Sequence, residues 1–184
     1  MNTILVGATT LVPLRQRRGY RMLNTLGMAC IAVLLMAGCA SYSGSGLVPG
    51  TSRAADVQAL MGEPAEKLAA ENGDSVWFYP RLAFARETYA VRLSPDGVVR
   101  SVEQRLTEAN LRKIVAGTTT MKEVRLLLGP PFRTVRFERQ QRLVWDYPMN
   151  NDLRVESNLS VQFSDDGIVR EVLLLRDYRK LGGP

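Results

Sequence analysis

The chain has 184 residues, is 46% apolar and carries a formal charge of +6 with no histidine. That size and apolar share allow one domain or two small ones with a filled core. The missing histidine excludes Ser-His and Cys-His catalysis and histidine metal ligands. The two cysteines, Cys30 and Cys39, form neither a disulfide framework nor a zinc site. The charge gives little support to nucleic-acid binding, which wants a clustered basic face: the first 38 residues hold four arginines and no acid, and the remainder is close to balance.

At the N-terminus a basic segment, 15–21, precedes an apolar run, 26–37, and then Gly38 and Cys39. Basic, then apolar, then small is the order of a secretory signal peptide, here 1–38. The run is too short for a comfortable transmembrane helix, which needs roughly 20 residues. Ordinary cleavage or a short membrane anchor fits this pattern. So does a lipoprotein signal, because Leu35-Met36-Ala37-Gly38-Cys39 resembles a bacterial lipobox. That resemblance implies cleavage after Gly38 and a new N-terminal Cys39 carrying a diacylglyceryl group and an acyl chain such as palmitate. No aspartate follows Cys39, which by the lipoprotein rule implies the outer membrane, on its periplasmic face. Two or more chains anchor stably, at about 0.8 kcal/mol per buried methylene. Residues 39–46 then form the lipidated cysteine and a flexible tether, whose seven residues after Cys39 reach at most about 25 Å. Met22 is an alternative start, although it would remove the arginines.

From residue 47 onward one pattern occurs twice. GTSRAADVQALMGEP at 50–64 is echoed by GTTTMKEVRLLLGPP at 117–131, Trp77-Phe78-Tyr79-Pro80 by Trp145-Asp146-Tyr147-Pro148, and SPDGVV at 94–99 by SDDGIV at 164–169. Matches in one order over such a length mark a duplicated supersecondary unit, with repeats at 47–105 and 106–178. In repeat one, Thr51 or Ser52 caps a helix bearing Val57, Leu60 and Met61, and Gly62 with Pro64 stops it. Asn72-Gly73 is a hairpin turn, Trp77 and Tyr79 share a strand face, and Tyr89, Val91 and Leu93 share the next. Ser94-Pro95-Asp96-Gly97 turns the chain into a fourth strand.

In repeat two, Thr107 caps a short helix with Leu111, Ile114 and Val115 on its apolar side. A Thr120–Glu123 capping box opens a second helix that turns Val124, Leu127 and Leu128 inward. Strands follow with Val135 and Phe137, with Leu143, Trp145 and Tyr147, with Leu159, Val161 and Phe163, and from Ile168 to Leu175. Residues 179–184 read as a disordered tail. The fold class is α+β: two tandem repeats, each of short helices on a small antiparallel sheet of about four strands, with the first helix reduced in repeat one. Each repeat is marginal alone, so the two are expected to share buried surface.

These blocks resemble the BamE (SmpA/OmlA) family of outer-membrane lipoproteins, which carries one such module where this chain carries two. The resemblance implies a non-enzymatic accessory role around the β-barrel assembly machinery. Doubling also resembles the β-lactamase inhibitory protein, and implies instead a module that grips one periplasmic protein with a doubled, concave sheet. For either role the candidate contacts are Phe78, Phe84 and Tyr89, with Arg136, Arg139 and Arg142 of a basic hairpin at the rim. Phe78 stands where repeat two has Asp146, so it is expected to face outward. The paired Trp and Tyr recur and read as core. Asp96, Asp165 and Asp166 read as turn chemistry rather than a metal or acid–base site. No cofactor, metal, nucleic acid or small-molecule substrate is indicated.

Overall fold

The computed structural model describes residues 43–176. The signal segment, Cys39 and the 179–184 tail lie outside the described residues.

Repeat one opens with helix α1, Ala54–Met61. Its N-terminus is held by Asp56, whose carboxylate accepts the Arg53 backbone N–H at 2.7 Å. Neither Thr51 nor Ser52 caps it; the Ser52 hydroxyl accepts the Val48 N–H one turn earlier instead. Val57 and Met61 are buried, and Gly62, at φ 79°, ends the helix in a conformation that disfavours a side chain. Four strands follow: β1 Glu66–Ala69, β2 Ser75–Pro80, β3 Thr88–Leu93 and β4 Val99–Gln104. They form an antiparallel meander in that order. Asn72 and Gly73 take positive φ between β1 and β2, as the hairpin signal requires. The short β1 carries no strand signal of its own in the sequence.

Repeat two begins with α2, Glu108–Leu111, whose Asn110 N–H is capped by the Thr107 hydroxyl. The helix stops before Val115, which is 54% exposed and not part of an apolar side. Helix α3, Met121–Leu128, carries the capping box: Glu123 accepts the Thr120 N–H at 2.7 Å, and Thr120 accepts the Glu123 N–H at 3.2 Å. Strands β5 Arg133–Phe137, β6 Arg142–Asn150, β7 Glu156–Phe163 and β8 Val169–Arg176 form a second four-stranded meander.

The duplication extends to individual hydrogen bonds. Gly50 N–H donates to the Val99 carbonyl at 2.8 Å, and Gly117 N–H to the Val169 carbonyl at 2.7 Å. The Tyr79 hydroxyl donates to the Gly62 carbonyl at 3.2 Å, and Tyr147 to the Gly129 carbonyl at 3.1 Å. Each sheet shifts register at one place, at Arg92/Leu93 and at Gln162/Phe163. The recurrent aromatics are core: Trp77 and Tyr79 join Val57, Met61 and Val91, while Trp145 and Tyr147 join Val124, Leu128 and Phe163.

The repeats stack as alternating layers. One face of sheet one packs on α1. Its other face, with Val76, Phe78 and Ala90, packs against Leu126 of α3. The opposite side of α3 sends Val124 and Leu128 into the core of sheet two. Helix α3 therefore lies between the sheets, and the Arg125 guanidinium bridges back to Glu66 on β1 at 2.8 Å. This corrects two expectations. Phe78 does leave the α1 face of its sheet, but it meets α3 rather than solvent and is fully buried. There are two separate sheets and no doubled concave one, because α3 occupies the place where sheet one would have shown its open face.

Candidate functional site

The surface left open is the outer face of sheet two, where the β2–β3 loop of repeat one overhangs it. Three contacts hold the loop there. The Arg86 guanidinium donates to the Ser157 carbonyl at 3.1 Å and pairs with Glu156 at 3.1 Å. The Asn150 amide donates to the Ala85 carbonyl at 3.5 Å. Together they enclose a shallow cavity of about 430 Å³. Leu82, Phe132 and Pro148 supply its apolar surface, and Arg133, Asp146 and Ser160 its polar surface. The last three form a chain. Arg133 donates twice to one Asp146 carboxylate oxygen, at 2.6 and 3.0 Å, and the Ser160 hydroxyl donates to the other at 2.6 Å. A cavity with apolar walls and an internally satisfied polar floor suits a protein surface better than a reacting substrate. Among the described residues, no group of three or more Cys, Asp or Glu side chains could hold a metal ion.

The three aromatic candidates do not form one surface. Phe84, at the tip of the overhanging loop, is 93% exposed. Phe78 is sealed between the repeats. Tyr89 is half-buried against the core of repeat one, and burial, then Glu87, raises its phenol pKa. The sequence did distinguish Phe78, as an apolar residue where the other repeat has a carboxylate; that signal marked the contact between repeats rather than a free anchor.

The basic hairpin is partly neutralised. Arg136 pairs with Asp165 at 2.8 Å and with Glu138 at 3.2 Å, and those two partners, Asp165 first, hold its charge more firmly than usual. Arg133 is tied to Asp146. Arg139 is exposed and Arg142 half-buried. In the two Asp-Gly turns, hydrogen bonds from Ser94 to Asp96 and from Ser164 to Asp166 lower those carboxylates' pKa values. The serine bonds lie within the turns, as tight turns require, and Asp166 also pairs with Arg170 of β8 at 2.6 Å. Sequence reasoning missed the loop-to-sheet contacts of Arg86 and Asn150, which join residues far apart in the chain.

Residues 104–172 match the sequence model of the family described as Outer membrane protein assembly factor BamE domain. The second repeat is BamE-like. The matched span runs from the end of β4 to within β8, so it takes in both helices of repeat two, its first three strands and the first half of β8. Repeat one, which shares its turns and core aromatics, lies almost wholly outside the BamE match. Neither the curated proteins nor the solved structures yield a match to the chain.

Proposed function

We propose that the protein is a lipoprotein of the outer membrane's periplasmic face, held there through Cys39, that acts as a scaffold in outer-membrane protein assembly or envelope integrity. The observation that carries this reading is the BamE match over 104–172, which covers most of repeat two, together with the lipobox-like residues 35–39. The open face of sheet two and the Phe84 loop are the surfaces such a scaffold would offer a partner in the barrel-assembly machinery. The contact set is therefore Phe84 with Arg139 and Arg142, and not Phe78. No chemistry of its own is required, and no cofactor beyond the lipid.

The test is a crosslinked pull-down of the native protein from solubilised outer membranes, with Cys39→Ala as control. Barrel-assembly components should be recovered with the lipidated form alone, and barrel-protein levels should fall when the protein is absent. Unchanged barrel levels and normal permeability would refute the reading. The 93% exposure of Phe84 also favours a second reading, a module that binds one periplasmic protein. Recovery of a single unrelated periplasmic protein with both forms would select it.

A further inference from the structure

A second cleft, of about 340 Å³, lies where the α3-facing side of sheet one meets repeat two. Its charged lining is Arg92 on β3, Arg105 just after β4, Lys113 after α2, and Glu123 on α3. Three cations thus face one carboxylate. Glu123 is already engaged, since one of its oxygens accepts both the N–H and the hydroxyl of Thr120. The flanking acids are also shared or turned away. Asp74 lies 3.3 Å from Arg92 Nε and 3.1 Å from Arg100 Nε, so it divides its charge between two guanidinium groups. Glu103 pairs with the Nη1 end of Arg105 at 3.0 Å from a half-exposed position. Lys113 makes one hydrogen bond, to the neutral Asn110 side chain at 2.9 Å.

Donors remain over. The Nε of Arg105 is shielded from water and has no hydrogen-bond partner, and that of Arg92 is too poorly aligned on Asp74 to make a hydrogen bond. Burial, and then repulsion from Arg92, disfavours the Arg105 charge against the pull of Glu103. Like charges gathered in a partly desolvated cleft, with N–H groups to spare, are what an oxyanion relieves. A carboxylate presents two oxygens to these three cationic side chains, whereas a phosphate presents an oxygen to each.

We propose that this cleft between the repeats binds a phosphate dianion, inorganic or as a small monoester, through Arg92, Arg105 and Lys113. The site needs both repeats, because repeat one supplies the arginines and repeat two the lysine. A single module of this fold would lack it. It stands apart from the assembly reading, which uses the opposite side of repeat two.

The full chain in mild detergent is titrated with inorganic phosphate and with glycerol 3-phosphate, against sodium chloride of equal ionic strength. Thermal unfolding is followed together with the Nε–H resonances of Arg92 and Arg105. Ligand that binds only the folded state raises Tm with concentration. The expected result is a saturable rise in Tm and a matching shift of both resonances. The response should weaken at least tenfold in Lys113→Gln and vanish in the Arg105→Gln/Lys113→Gln pair. Lys113→Gln is the safeguard, because the lysine is exposed and makes one side-chain hydrogen bond, to Asn110, so its loss leaves the fold intact. No response beyond chloride, or one that survives in Lys113→Gln, overturns the proposal. A response only to vesicles of anionic phosphodiester lipid overturns it too, since that would assign the cations to a monoanionic headgroup.

Discussion

The two sheets carry the same strands in the same order and differ on one face. Across sheet one the row Glu66, Phe78, Ala90 sits side by side; across sheet two the equivalent row is Arg133, Asp146, Ser160. The first row lies under α3: Phe78 and Ala90 are buried, and Glu66 takes Arg125 of that helix. Among the described residues no helix covers the second, and its three side chains bond one another instead. Duplication supplied two copies of a half-buried sheet, and stacking them end to end gave only one copy a second cover. The apolar face and the polar face are the sequence's adjustment to that difference. Burying an aromatic side chain contributes on the order of 1.5–3 kcal/mol, while an open face gains nothing from one.

The largest expected effect is from exchanging these residues. Phe78→Asp removes a fully buried ring, a loss of about 3–5 kcal/mol for the cavity alone, and leaves a carboxylate in its place. Arg125 is committed to Glu66 and cannot serve it without abandoning that pair. Total stabilities of about 5–15 kcal/mol make this change close to unfolding. The reciprocal Asp146→Phe gives up an exposed ion pair and a hydroxyl bond, about 1 kcal/mol or less. Urea midpoints of the two variants measure the asymmetry. Equal midpoints would mean that α3 does not cover sheet one as described.

The next effect separates backbone from packing. Gly62 and Gly129 end equivalent helices at φ 79° and 84°. A Cβ at Gly62 would meet nothing within 4 Å. At Gly129 it would stand 2.6 Å from Phe78 Cδ1 and 3.0 Å from Thr88 Cγ2. Gly62→Ala should therefore lose about 1 kcal/mol, the ordinary penalty of a side chain at positive φ. Gly129→Ala adds overpacking between the repeats, a further 1–3 kcal/mol or so. Thermal unfolding of the pair checks the difference, and a Gly129→Ala no worse than Gly62→Ala would refute the close approach.

Much of this comparison was legible in the sequence, because local chemistry carries local structure. The Thr120–Glu123 box, the Asn72-Gly73 turn and the alternating Trp and Tyr each dictate a feature within a few residues. What was hidden depends on residues far apart. Phe78 reads as outward from its own strand, and only the arrival of Leu126, some fifty positions later, makes it inward. Strand β1 was missed because Glu66–Ala69 has no apolar alternation strong enough to stand alone; it exists through pairing with β2. The α1 cap was misplaced by a residue or two because Arg53 has no capping side chain and Asp56 acts from within the helix. In the candidate site, Phe84 was visible as an aromatic in a loop, but nothing local placed that loop over sheet two.

The smallest effect is a titration that grades the two cores. Tyr79 and Tyr147 occupy equivalent positions and donate to equivalent glycine carbonyls. Burial, assisted by Glu63, pushes the Tyr79 phenol up to about 12 from an ordinary 10.0. Tyr147 is pushed higher again by deeper burial, which Arg125 only partly offsets. Both folded-state values lie above those of the unfolded chain. Their contribution to stability is therefore complete below pH of about 10 and is lost as pH rises through the folded values, because the unfolded chain releases its phenolic protons first. Stability should fall between pH of about 10 and 12 in the native protein. Tyr79→Phe, which cannot ionise, should flatten the first part of that fall at the loss of one hydrogen bond, about 1 kcal/mol. Tyr147→Phe should flatten that part as well, because its unfolded phenol ionises over the same range, and should also remove the fall that continues at higher pH; in the folded protein Tyr79 is the phenol that ionises first. Absorbance near the phenolate band, read alongside unfolding midpoints, assigns each step. If the Tyr147→Phe variant lost the lower absorbance step instead, repeat two would be the looser core, and the ranking of the two phenols by burial would have to be reversed.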